Sequence, residues 1–268
     1  MESFVASDGV RIAYAVDDFT DPWREADTVL LVHAAMGSSR RFFGWVPHLA
    51  RDFRVVRLDL RGHGESDPQG PEPITFDRLV LDLTELLDHL GITKVHISGS
   101  SAGAYISQGF TSRHPSRVAS LGVFAATPGM KTGNVDYPAW VRRIGKDGIA
   151  TFLRETIKDR VDLERAAPGF VDWFVTEAAR TSVDTLARFV PLMASMDLTN
   201  DLRTIHCPVL AVVPGGDPFH TVDEYRALQR IMPQCEFVVL EGMPHNITDT
   251  EPDRCAAELL RFLKAHAQ

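Results

Sequence analysis

The stretch Gly99-Ser100-Ser101-Ala102-Gly103 constrains this chain more than any other. It has the pattern G-x-S-x-G. It lies between the apolar run Val95-His96-Ile97 and a run of helical character that starts near Ala102. A serine on so tight a turn from strand to helix is held in a strained backbone conformation. The residues two places to either side have to be small, or strand and helix would collide. Such a turn leaves a hydroxyl exposed beside a helix N-terminus, where N–H groups and the helix dipole favour a developing negative charge.

The surrounding pattern fits that turn. Apolar runs alternate with helical periodicity, which predicts an α/β fold with a mostly parallel central sheet flanked by helices. Strands are expected at 10–16 (an early edge strand), 28–32, 54–58, 94–97, 118–124, 208–213 and 236–240. Phe76, Leu79, Val80, Leu83, Leu86, Leu87 and Leu90 recur at helical spacing, so 75–90 is an amphipathic helix with Thr75 as N-cap and Gly91 as its stop. A last helix is expected over about 251–267. Between Pro128 and Cys207 the strand rhythm stops, and helical segments appear at 149–158 and 170–179. A crossover between parallel strands needs only a dozen or so residues. The surplus predicts a helical cap, or lid, at 129–200, inserted between core strands of a domain made of 1–128 and 201–268.

Composition narrows the function classes. A net charge of -8 over 268 residues, without a dense Lys/Arg stripe, argues against nucleic-acid and anionic-membrane partners. No run approaches the roughly 18 apolar residues of a membrane span. Met1 to Val5 shows no secretory pattern, and Cys207, Cys235 and Cys255 lack metal-ligand spacing. Together these predict a cytoplasmic protein with reduced core thiols. There is no metal-binding histidine motif and no dinucleotide fingerprint, so neither a metal nor a nicotinamide or flavin cofactor is implied. The expected partner is a small-molecule substrate, with homo-oligomerisation left open.

A serine hydroxyl near neutral pH needs a base, and that base needs an acid to fix its tautomer. Ten histidines compete for the first role. His245 is favoured, because Gly242-Met243-Pro244-His245-Asn246 falls between the last strand and the last helix. A loop there can hang an imidazole over the sheet edge from which Ser101 projects. His33 is assigned to shaping its loop, and His63, His89 and His96 to structural or solvated roles. Asp217, in Pro214-Gly215-Gly216-Asp217-Pro218, follows the strand at 208–213 and is the expected acid. The end of the 118–124 strand offers no carboxylate; Asp201 and Asp249 are the alternatives.

The order Ser101, Asp217, His245 on such a framework resembles the α/β-hydrolase fold family, in its serine-nucleophile branch. Two further stretches carry the resemblance. His33-Ala34-Ala35-Met36-Gly37 is similar to the family's His-Gly oxyanion loop, with Ala34 where relatives have glycine. Asp59-Leu60-Arg61-Gly62-His63-Gly64-Glu65-Ser66 is similar to its D-x-R-G-x-G-x-S turn. The resemblance implies an oxyanion hole from the N–H groups of Ala35 and Ala102. It also implies acyl transfer to water through an acyl-enzyme. Met36 and Phe42 near that loop, with Trp140, Trp173 and Phe189 from the cap, predict a mostly apolar substrate pocket. Small esters or lactones are the expected substrates, as in enol-lactonase-like and carboxylesterase-like members. Hydrolysis of a carbon–carbon bond in ring-cleavage products, or ligand reception on the same scaffold, are the alternatives.

Overall fold

A computed structural model describes residues 1–70, 72–130 and 135–267. Its strands are β1 (Glu2–Val5), β2 (Arg11–Asp17), β3 (Thr28–Val32), β4 (Arg54–Leu58), β5 (Val95–Ser100), β6 (Val118–Phe124), β7 (Val209–Pro214) and β8 (Cys235–Leu240). They form one eight-stranded sheet in the order β1-β2-β4-β3-β5-β6-β7-β8. From β4 to β8 every pairing is parallel, and only β2 runs antiparallel to its neighbours β1 and β4. The inner strands β3 and β7 read as nearly continuous apolar runs because helices cover both faces. All residues of β3 and β7 are buried.

The helices are α1 (Val46–Leu49), α2 (Phe76–His89), α3 (Ala102–Arg113), α4 (Tyr137–Asp147), α5 (Ile149–Glu155), α6 (Phe170–Ala178), α7 (Val183–Ala194), α8 (Val222–Ile231), α9 (Ile247–Thr250) and α10 (Pro252–His266). Leu79, Leu83 and Leu86 of α2 pack with Ile106 and Phe110 of α3 on one face of the sheet. Trp45 and Leu49 pack with Leu259, Phe262 and Leu263 of α10 on the other. In α2 the apolar spacing does what a 3.6-residue period requires. It buries Phe76, Leu79, Val80, Leu83, Leu86 and Leu87, and the Thr75 side chain accepts from the Arg78 amide at 3.1 Å.

One expectation needs correction. The strand expected at 10–16 is β2, and it is not at the edge. Glu2–Val5 pairs alongside it, Glu2 opposite Tyr14 and Val5 opposite Arg11. Only Phe4 of β1 is buried, so that short segment shows too little alternation to read as a strand.

Chain order places the site. From β3 the chain moves outward to β4, then returns to lay β5 on the opposite side of β3. The loops leaving the C-terminal ends of β3 and β5 therefore diverge, which opens a crevice at that switch point. Between β6 and β7 the described residues contain α4 to α7 and no strand, apart from an isolated bridge between Gly129 and Asp197. Residues 131–134 of the expected cap lie outside the described residues. These helices have a core of their own, built from Ile144, Phe152, Leu153, Phe174 and Leu186, and Met36 from the loop after β3 packs into it.

Candidate active site

Ser101 sits at the turn from β5 to α3 with φ 49° and ψ -117°. A left-handed conformation is costly for a residue with a side chain, and it persists only where the surroundings enforce it. Two glycines make room for it. A Cβ on Gly99 would lie 2.3 Å from the Gly103 carbonyl oxygen, and one on Gly103 would lie 2.1 Å from that of Val32. The Ser101 amide donates to the Phe124 carbonyl at 2.8 Å, which ties the turn to β6. Ser100 faces away, its hydroxyl 2.9 Å from that of Thr248 in α9.

The structure brings Ser101, His245 and Asp217 together. His245 Nε2 is 3.1 Å from Ser101 Oγ, and His245 Nδ1 is 2.7 Å from Asp217 Oδ2. Asp217 is buried. Burial pushes its carboxyl up, but the imidazole beside it and hydrogen bonds from His245, Tyr225 and the Phe219 amide outweigh that. They hold the pKa below the usual carboxylate range. An ionised carboxylate only accepts, so Nδ1 of His245 must carry the proton. Nε2 then presents its lone pair to the Ser101 hydroxyl. The ring of Phe219 meets His245 edge-on at 5.0 Å.

Tyr225, on the buried side of α8, was not singled out in the sequence. Its hydroxyl donates to the same Asp217 Oδ2 that accepts from His245. Burial and the adjacent carboxylate raise the Tyr225 pKa well above its ordinary value, so the phenol stays a donor. Its place eight residues after Asp217, just inside a helix N-terminus, was the only available signal. The two alternative acids stand elsewhere. Asp249 is taken up by the Nε of Arg41, both side chains being buried. Asp201 opens an exposed 3-10 turn.

His33 shapes the loop after β3, as its position suggested. Burial lowers its pKa to about 4, so the ring is neutral. Its Nδ1 lies 2.7 Å from the Ala34 carbonyl, and its Nε2 accepts from the Leu60 amide at 3.0 Å. The loop then turns through Met36 at φ 56°. The turn at 59–66 supports it from behind. Asp59 accepts from the Ser39 amide at 2.6 Å and from the Glu65 amide at 2.8 Å, while Arg61 forks onto Asp82 with two contacts of 2.6 Å.

A mostly apolar cavity of about 80 Å³ opens onto Ser101 and His245. Ala35 and Ala102 both line it. Among the described residues neither amide donates to a protein acceptor, which leaves both N–H groups for a ligand oxygen. Met36, Trp140 and Phe189 also line it. Two expected pocket residues do not. Phe42 turns into the core beneath the sheet edge, where its ring meets Trp45 at 5.2 Å, because the 3-10 turn Ser39–Phe42 points it inward. Trp173 lies on the outer face of α6 against Phe43 and Phe170, beside a separate surface groove. Helical position decides between Trp173 and its neighbour Phe174, and it is Phe174 that reaches the cavity.

Among the lining residues that sequence reasoning did not place there are two arginines, Arg41 and Arg160. Among the described residues no cluster of three or more His, Cys, Asp or Glu is arranged to hold a metal ion, and no helix is long and apolar enough to cross a membrane.

Known proteins similar to this chain are numerous. The chain is 27% identical over 268 residues to a protein of Caulobacter sp. (strain K31) that bears the name of a carbamate hydrolase, RutD, covering 92% of this chain and 94% of that one. It is 25% identical over 229 residues to 3-oxoadipate enol-lactonase 1 of Acinetobacter baylyi, covering 82% and 84%. The crystal structure of the enol-lactonase from Burkholderia xenovorans LB400 superposes with a TM-score of 0.89 at 19% identity, covering 98% of this chain and 100% of that one, which speaks to fold alone. Residues 27–206 match the family model described as alpha/beta hydrolase fold. With that match, and with a serine elbow after β5 of a mostly parallel sheet, the chain belongs to the α/β-hydrolase fold family.

Proposed function

We propose that the protein is a serine hydrolase that cleaves small esters or lactones through Ser101, His245 and Asp217. The observation that carries this reading is the unbroken chain from Ser101 Oγ through His245 to Asp217 at the mouth of an apolar cavity. His245 takes the proton as Ser101 attacks the carbonyl carbon. Asp217 stabilises the imidazolium, and the amides of Ala35 and Ala102 hold the oxyanion. Such a donor contributes on the order of 3 kcal/mol to lowering the barrier. His245 then gives its proton to the leaving alkoxide, and water repeats the attack on the acyl-enzyme. In this reading 129–200 is a cap over a core formed by 1–128 and 201–268, and it supplies the far wall of the pocket through Trp140 and Phe189. Hydrolase names among the relatives support the general class.

The experiment is a panel of p-nitrophenyl esters, lactones and ring-cleavage dienones, run on the wild-type protein and Ser101→Ala. Turnover of esters or lactones that disappears in Ser101→Ala is expected. Turnover confined to the dienones would replace the ester reading with carbon–carbon bond hydrolysis. Activity surviving in Ser101→Ala would remove the serine from the mechanism.

A further inference from the structure

The two arginines on the cavity wall have different surroundings. Arg41 is matched: its Nε donates to the buried carboxylate of Asp249, and its guanidinium carbon lies 3.9 Å above the ring of Phe174. Even so, its Nη2 is buried with no hydrogen-bond partner among the described residues. Arg160, in the turn after α5, is 4% exposed. Its Nη1 donates to the carbonyl and hydroxyl of Thr156, at 3.1 and 2.8 Å. Among the described residues no carboxylate stands within ion-pair distance of it. Aromatic rings take that place, with Trp140 at 4.9 Å and Phe152 and Phe219 each at 5.4 Å from the guanidinium carbon.

Ring faces hold a cation in position, but they give its N–H groups no acceptor. Burying a charge without an ion partner is unfavourable, and a nonpolar residue of similar volume would serve packing better. Burial lowers the Arg160 pKa to about 10 against the pull of the Asp159 and Asp217 carboxylates, neither of which contacts it, and still leaves it charged at neutral pH. Arg160 is also fixed relative to the reacting groups. Its carbonyl accepts from the Asn246 amide at 3.1 Å, and the Asp159 carbonyl accepts from the His245 amide at 3.4 Å. A planar guanidinium held this way matches a carboxylate, which offers two acceptors and the missing charge.

We infer that the substrate carries a carboxylate besides its scissile carbonyl, bound by Arg160. That the bound molecule is a substrate rests on the serine-hydrolase reading; the binding of a carboxylate by Arg160 does not.

The test compares matched esters. In one arm, p-nitrophenyl hemisuccinate, hemiglutarate and hemiadipate are set against p-nitrophenyl butyrate, pentanoate and hexanoate, which places the charge on the acyl side. In the other, acetoxybenzoates are set against phenyl acetate, which places it on the leaving side. The wild-type protein favours the anionic member in at least one arm. Arg160→Gln reduces that preference in kcat/KM by about 10- to 100-fold, chiefly through KM. Arg160→Lys retains part of it. Fluorophosphonate labelling of each variant reports that it is folded. Equal rates within every wild-type pair, or a preference that Arg160→Gln leaves intact, would overturn the inference.

Calorimetric titration with glutarate separates this failure from that of the hydrolase reading. Binding by wild-type protein, weakened by about tenfold or more in Arg160→Gln, is expected even if no ester is turned over. No binding of glutarate, or equal binding by both proteins, would sink the carboxylate site.

Discussion

Tyr225 and His245 donate to the same oxygen of Asp217, one from a buried helix face and the other from the cavity. The carboxylate is thereby fixed in one orientation, with its other oxygen held by the Phe219 amide at 2.8 Å. A group tied down on three sides cannot rotate away when the imidazole becomes charged.

Tyr225→Phe removes one of these ties and keeps the ring. Turnover should fall on the order of tenfold, since a hydrogen bond to a charged group is lost while two others remain. The pH dependence has a definite sign. The Asp217 pKa in the folded protein lies below its ordinary value of 3.8. Its contribution to stability is therefore present above that value and is lost as pH falls through the folded pKa. Loss of the tyrosine hydroxyl raises the folded pKa, so acid unfolding of Tyr225→Phe, followed by circular dichroism, should begin at higher pH than in the wild type. An unchanged acid limb would mean that the hydroxyl does not act on the carboxylate.

Asp217 and Asp249 should separate catalysis from stability. Asp217→Asn leaves an amide that favours the wrong imidazole tautomer, and kcat should drop by roughly 10⁴. Asp249→Asn instead strands the buried Arg41 and should lower stability by about 3–5 kcal/mol in chemical denaturation. Near wild-type turnover in Asp217→Asn would move the acid to another residue.

Trp140, Trp173 and Phe42 give a three-way test of the cavity wall. Trp140→Ala enlarges the pocket and should alter acyl-length preference, each methylene contact being worth about 1–3 kcal/mol. Trp173→Ala should leave that preference alone, because its ring lies against Phe43 on the outside. Phe42→Ala should lower stability by about 3–5 kcal/mol without a change in preference. Kinetics across a p-nitrophenyl ester series, with thermal melts beside them, check all three.

Much of this was legible in the sequence, because strong local rules and tertiary structure agree there. The elbow residues, the strand ends carrying Asp217 and His245, and the amphipathic α2 each follow from patterns that need no distant partner. What escaped depends on distant contacts or on helix phase. β1 is a strand only because β2 lies beside it. The inward turn of Phe42 and the outward turn of Trp173 are set by local helix phase, which a loosely patterned segment does not reveal. Pro191 inside α7 masked a helix whose Leu186, Phe189, Val190 and Met193 are all buried. Arg160 reads as an ordinary surface charge until Trp140, Phe152 and Phe219 close around it.

Everything in the proposed reaction turns on Ser101 as the nucleophile. That role is tested most directly by treating the native protein with a fluorophosphonate and locating the adduct by peptide mass spectrometry. A single adduct on Ser101 is expected, absent in Ser101→Ala and retained in Ser100→Ala. An adduct on Ser100, or no adduct on folded wild-type protein, would contradict it.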